Sequence, residues 1–232
     1  MPANRPSLHA LLLALMISCT PLAVQAWDSV GHRLSAAVAL EFISAETRDK
    51  LLKILTAHPR YEQDFVQQIP DYVDQSNAEQ LAQWLLGQAA YWPDIARGLP
   101  DAAERRFNRP NWHYIDGAWV RDSAMQQGNV YVGIEPFPPV QGQASGMIDT
   151  EAEAVHVVTA LDYNTLLLID SDRSADEPAV ALWWLLHLMG DIHQPMHTGS
   201  LYSADIFASG DLGGNQIPVG ERNLHSMWDR AL

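Results

Sequence analysis

An all-α fold, a single mostly helical domain with long irregular loops, is what this 232-residue sequence predicts. Three observations predict it. Helix starts are marked by polar capping motifs, an apolar run over residues 179–189 has no polar face, and two His-x3-Asp pairs, His187 with Asp191 and His225 with Asp229, have helical spacing. Residues four apart lie on one face of a helix, so each pair offers an imidazole nitrogen and a carboxylate to one point.

The chain opens with Arg5, an apolar stretch over residues 8–24 and the small-residue site Val24-Gln25-Ala26. That pattern predicts a signal peptide over residues 1–26, cleaved before Trp27, and hence an exported protein, periplasmic or secreted. The stretch is interrupted by Thr20 and Pro21 and falls short of the ~20 residues that span a bilayer, so no stable membrane association is expected. Met16-Ile17-Ser18-Cys19 is a poor lipidation box, the one anchored alternative. Cys19 is the single cysteine, so residues 27–232 are expected to form no disulfide and to use no thiolate ligand.

Further along, Ser76-Asn77-Ala78-Glu79 is a capping box that opens a helix predicted to stop at Gly87. Residues 128–146 are rich in Gly, Pro and Gln and read as a surface loop, with at most a short strand at Val130-Tyr131-Val132. Thr150-Glu151-Ala152-Glu153 opens another helix, and Ser174-Ala175-Asp176-Glu177 a third, with Pro178 in its permissive first turn. The third carries Trp183, Trp184, Leu185, Leu186 and Leu188, which puts it at the centre of the domain and turns His187 and Asp191 inward. A carboxylate buried without a partner costs several kcal/mol, and a metal is a natural partner. The loop over 199–220 joins the two His-x3-Asp helices, and its Gly213-Gly214-Asn215 turn calls for positive φ.

Charge narrows the function. Fourteen Lys and Arg against 28 Asp and Glu give −14, and a chain this acidic does not grip phosphates through basic clusters. An anionic substrate has to be held by metal. Alone, His58 and His156 read as ordinary surface or helix histidines, His193 as a residue behind the ligands, and Asp71 and Asp74 as solvated. The donors left are His, carboxylate and a terminal amine, a set that suits zinc.

In order these are the Trp27 amine, His32, Asp94, His113, His187, Asp191, His197, His225 and Asp229. Their order and spacing resemble the zinc-dependent single-strand nucleases of the S-one/P-one type, a superfamily shared with bacterial zinc phospholipase C. The most specific piece is His187-Leu-Met-Gly-Asp191-Ile-His-Gln-Pro-Met-His197, followed by the Gly-Gly-Asn turn and His225-Ser-Met-Trp-Asp229.

The resemblance implies a helical fold around a trinuclear zinc cluster. One Zn2+ would be held by Asp94, His113, His187 and Asp191, a second by His197, His225 and Asp229, and a third by the amine and carbonyl of Trp27 with His32 and a shared Asp191. It also implies catalytic roles for Asp94 and Arg97, and a nucleobase pocket at Tyr114 and Asp116 with Asn215 near the substrate. The expected substrates are single-stranded DNA, RNA and nucleotides, cut to 5′-phosphorylated products with 3′-nucleotidase activity, by a monomer without protein partners. Phospholipase C and a non-enzymatic zinc-binding protein are the alternatives. The short Trp27 to His32 interval and Asp229 as last ligand favour the nuclease. Family members continue past this position with further helix, so residues 27–232 are expected to lack a C-terminal helical segment; either the sequence is incomplete or, were Leu232 the true end, Asp229 would sit on a frayed end with the second metal loosely held.

Overall fold

The computed structural model describes residues 27–115, 117–120, 150–203 and 205–231. Residues 1–26, expected to be a signal peptide, residues 128–146, expected to be a loop, and Asp116 lie outside the described residues.

The fold is all-α, with eight α-helices among the described residues and little sheet. Asp28 caps α1 (Ser29–Phe42), its carboxylate accepting from the Val30 and Gly31 amides at 2.9 and 3.2 Å. Ser44 does the same for α2 (Ala45–Leu55) through the Thr47 amide. Such caps satisfy amides that have no intrahelical partner. One turn, α3 (Tyr61–Asp64), leads by a loop to α4 (Ala78–Ala96), and α5 (Asp101–Phe107) follows.

Helix α4 passes through Gly87 instead of stopping there. A mid-helix glycine costs about 1 kcal/mol, but Leu85, Leu86, Ala89, Ala90 and Trp92 on either side of it are buried, and that burial outweighs the backbone cost. The helix even accommodates Pro93 near its end, which places Asp94 in the last turn.

Two further starts differ from expectation. The Thr150 box forms, with the Thr150 amide and hydroxyl both bonded to Glu153, but it opens only a 3-10 turn over Glu151–Glu153. Helix α6 (Val157–Ile169) begins later, capped by His156, whose Nδ1 accepts from the Thr159 amide. His156 is therefore a buried cap and not a surface histidine. At α7 (Asp176–Asp191) the Ser174 hydroxyl engages the carboxylates of Asp176 and Glu177 and caps no backbone amide.

Helix α7 is the central element, packed on α1, α2, α4 and α6. Its adjacent tryptophans serve two cores. Trp183 joins Leu55, Phe65, Leu85, Trp92 and Phe107, while Trp184 joins Trp112, Ile115, Val157 and Leu188. Consecutive residues project about 100° apart on a helix, so one element supports both clusters. Met189 is the exception in the apolar run and stays exposed. His58, expected at the surface, is 3 % exposed, stacked on Trp183 and edged by Trp92.

The 199–220 segment is more ordered than a loop. It contains β2 (Ser200–Tyr202), which pairs in parallel with β1 (Ala118–Val120), Ala118 opposite Ser200. A two-residue turn at Gly220 and Glu221 joins β3 (Pro218–Val219) to β4 (Arg222–Asn223), and one helical turn, α8 (Leu224–Trp228), ends the described fold. Gly213 and Gly214 adopt φ of 60° and 79°, the left-handed region the sequence called for.

Candidate metal centre

Helices α1, α4, α7 and α8 and two short turns bring eight of the expected ligands, the histidine and aspartate side chains, into one buried cluster; the Trp27 main chain is not among the donors so grouped. His32 comes from α1, Asp94 from the last turn of α4, and His187 and Asp191 from the end of α7. His113 and His197 close 3-10 turns over Pro110–His113 and Pro195–His197. His225 and Asp229 lie at the start of α8 and just past its end.

Asp191 is the hub. Its Oδ2 lies 3.0 Å from His113 Nδ1 and 3.0 Å from His187 Nε2, and its Oδ1 lies 3.5 Å from His32 Nε2 and 3.7 Å from His197 Nδ1. His187 Nε2 is 2.8 Å from His113 Nδ1. Asp94 Oδ2 is 3.7 Å from His32, and Arg97 reaches Asp94 Oδ1 at 3.0 Å. His225 Nε2 and Asp229 Oδ1 are 3.7 Å apart. Among the described residues there are three sets whose donor atoms lie within 4.8 Å of one another inside each set: His32, Asp94 and His187; His113, His187 and Asp191; His197, His225 and Asp229. The expected grouping of His32 with Asp191 is near this, but His32 also faces Asp94 and stacks on His187, ring centroids 3.9 Å apart.

The chemistry of the donors fits cations. Both nitrogens of His32, Asp94 Oδ2, His113 Nε2, Asp191 Oδ1 and His197 Nε2 are buried without a hydrogen bond. Buried polar atoms are normally paired, so a cluster of them calls for a ligand. Three imidazoles meanwhile have their Nδ1 committed to main-chain carbonyls: His187 to Ala90 (2.7 Å), His197 to His113 (2.7 Å) and His225 to Gly213 (2.8 Å). Such bonds fix the tautomer and turn Nε2 into the lone-pair donor, as in metal-binding histidines.

The electrostatics differ among the imidazoles: at His187 burial is outweighed by Asp191 and Asp94, which raise its pKa above the ordinary value, while three others are lowered. Burial lowers His113 to about 3 and His197 to about 4, and with the neighbouring His187 takes His32 well below its ordinary value. These imidazoles are neutral at pH 7. Burial opposes charge on Asp191 too, yet His187 and His113 hold it well below the usual carboxylate range. Burial raises Asp94 against the pull of His187 and Arg97, and raises Asp229 to about 8. A cation would stabilise the ionised form of both.

Glycines permit the close approach. A Cβ on Gly190 would sit 3.0 Å from His32 Nδ1, and one on Gly31 would fall 2.9 Å from the Trp27 side chain. Trp27 is further tied by its indole N–H to the Gly190 carbonyl at 3.0 Å. Glycines inside the helices beside His32 and Asp191 were the sequence signal for this packing.

Other expected residues have plainer surroundings. Tyr114 is exposed beside His113, with its hydroxyl 3.5 Å from Asn111 Oδ1. Asn215 spends its carboxamide on the Leu212 carbonyl and on Asn223. His193 points outward and bonds the Met189 carbonyl, so it does not back the ligands. Asp71 and Asp74 are exposed as expected. Asp229 is not frayed, because its carbonyl accepts from the Asp28 amide at 3.0 Å and its carboxylate from Gln194 at 2.7 Å. Gln194 escaped the sequence reading; its signal was only its place between Asp191 and His197.

Helices packed around a buried cluster of histidines and aspartates define a class of helical proteins with a candidate metal centre. A family model described as S1/P1 Nuclease matches residues 27–232, and the chain belongs to that family. Among curated relatives, it is similar to Endonuclease 1 of Arabidopsis thaliana, 26 % identical over 230 residues that cover 96 % of this chain and 59 % of that protein. Nuclease S1 of Aspergillus oryzae is 28 % identical over 207 residues, 88 % of this chain and 53 % of that protein. Endonuclease 5 of Arabidopsis thaliana is 48 % identical over a shorter stretch of 56 residues, 22 % of this chain and 16 % of that protein. The chain thus spans at most about three fifths of the length of these relatives.

Proposed function

We propose that this chain is a zinc-dependent nuclease that hydrolyses phosphodiester bonds in single-stranded DNA and RNA to 5′-phosphorylated products, with 3′-nucleotidase activity at the same site. The observation that carries the reading is the buried cluster of three donor sets, two of which share His187. Asp94, His113, His187 and Asp191 would hold one zinc ion, His197, His225 and Asp229 a second, and the amine and carbonyl of Trp27 with His32 and Asp191 a third. Zinc, when bound, supplies Lewis acidity toward a phosphoryl oxygen and lowers the pKa of water to near neutrality.

The chain's own groups do the rest. Arg97, its side chain 19 % exposed and anchored by Asp94, grips the phosphate oxygens with the two-pronged geometry that suits guanidinium. Asp94 orients the attacking water. The exposed ring of Tyr114 provides a stacking platform, worth roughly 1–3 kcal/mol per base and indifferent to sequence. Asp116 meets the base edge and Asn215 lies near the substrate. Only an unpaired base can enter such a slot, which gives the preference for single strands.

Export fits this assembly. Cleavage before Trp27 would free the amine that the third ion requires, and no helix among the described residues is long and apolar enough to cross a membrane. The reading places the enzyme in the periplasm or outside the cell, acting as a monomer.

The test is hydrolysis by the zinc-loaded chain of single-stranded DNA, RNA, duplex DNA, a 3′-mononucleotide and phosphatidylcholine. Cleavage of both single strands and the mononucleotide, with the duplex spared, is the expected result. Hydrolysis of phosphatidylcholine with single-stranded DNA untouched would replace the reading by a phospholipase C. Arg97→Ala should keep zinc and fold while losing about a hundredfold or more in turnover, the scale of one lost charge-stabilising group. Unchanged turnover would remove Arg97 from the chemistry.

A further inference from the structure

We infer that Gln194 is a positioning residue for the Asp229 carboxylate, and through it for the metal ion that His197, His225 and Asp229 would hold. The inference rests on the metal reading of that group given above.

Gln194 is fully buried, and every polar group it carries is spent on the site. Its amide donates to the Asp191 carbonyl at 3.0 Å, and its carbonyl accepts from the His197 amide at 3.0 Å. Its main chain therefore spans two ligands. The side chain is oriented as firmly. The Met196 amide donates to Oε1, and since an amide N–H can bond only to an acceptor, the carboxamide has one allowed orientation. Nε2 then faces Asp229 and donates to Oδ1 at 2.7 Å.

Asp229 needs such a constraint. It follows a helix of five residues, Leu224–Trp228, too short to be stable by itself. Its main chain is tied to Asp28 and His225, but main-chain bonds do not fix a carboxylate rotamer. Gln194 does so. Partners that orient metal-binding carboxylates and histidines typically change metal affinity by 10- to 100-fold when removed.

The experiment titrates zinc into the metal-free full chain against a chromophoric chelator. Gln194→Met, similar in size and without a donor, should weaken one zinc site by about tenfold or more and leave the others as they were. In an Asp229→Ala background the same substitution should leave the remaining sites unchanged, because its effect runs through Asp229. If Gln194→Met does not fold, Gln194→Glu retains the acceptor for Met196 and sets a second carboxyl against Asp229; the same single-site weakening is expected. Wild-type zinc binding in these Gln194 variants overturns the inference. So does an equal loss in the Asp229→Ala background, which would make Gln194 a structural residue only. A wild-type chain that binds no zinc overturns both this inference and the metal reading.

Discussion

At the scale of single residues, the site is a matter of what each imidazole nitrogen is doing. His187, His197 and His225 commit Nδ1 to main-chain carbonyls, and this leaves Nε2 as the atom that can bind a cation. His58 is the contrasting case. It is buried among Trp183, Trp92 and Phe107, its Nδ1 accepts from the Arg60 amide, and nothing there rewards a positive charge. Burial, with Arg106 and Arg60 nearby, lowers its pKa from 6.5 to about 2. The unfolded chain then binds a proton at His58 below pH 6.5 that the folded chain refuses. The stability it contributes is fully present above pH 6.5 and is lost as the pH falls toward 2, by up to about 1.4 kcal/mol per pH unit. Urea unfolding in the presence of chelator should show wild type losing about 1 kcal/mol more than His58→Phe between pH 7.5 and 5.5. Parallel pH profiles would show that His58 is not held neutral. The candidate ligand histidines have a spacing recognisable in the sequence, whereas the surroundings of His58 and the role proposed for Gln194 depend on distant partners that local pattern does not encode.

At the scale of elements, α7 connects stability to the site. Trp183 fills the core shared with α2 and α4, and about one and two turns later the same helix presents His187 and Asp191. Trp183→Ala should cost about 3–5 kcal/mol, the range for large buried aromatic truncations, measured by chemical denaturation of the metal-free chain. A loss under about 1 kcal/mol would mean that the core around α7 is not the packed unit described. The centrality of this helix was legible from its apolar run, and the left-handed turn at Gly213 and Gly214 from its glycines. The passage of α4 through Gly87 and the delayed start of α6 were not. In α4, burial on both sides of the glycine decides the outcome. In α6, the Thr150 box closes on itself and the helix waits for the His156 cap, a competition between two valid local signals that packing resolves.

For the molecule as a whole, the proposed phosphate chemistry has to coexist with acidity. A net charge of −14 opposes the approach of a polyanion, and the proposed metal centre would supply the positive charge that attracts it. Proteins that hold nucleic acid by 6–10 phosphate contacts lose about 10³–10⁵ in affinity between 50 and 200 mM salt, through counterion release. Here KM for single-stranded DNA should change by less than about tenfold over that interval. A thousandfold rise would point to a basic binding surface in place of the metal centre.

Elemental analysis shows whether the buried histidines and aspartates gather metal ions. Chain purified with Trp27 as its first residue, exchanged into metal-free buffer after zinc loading, should retain three zinc ions per molecule if the donor sets in the cluster act as proposed. Retention of fewer than two would contradict the account.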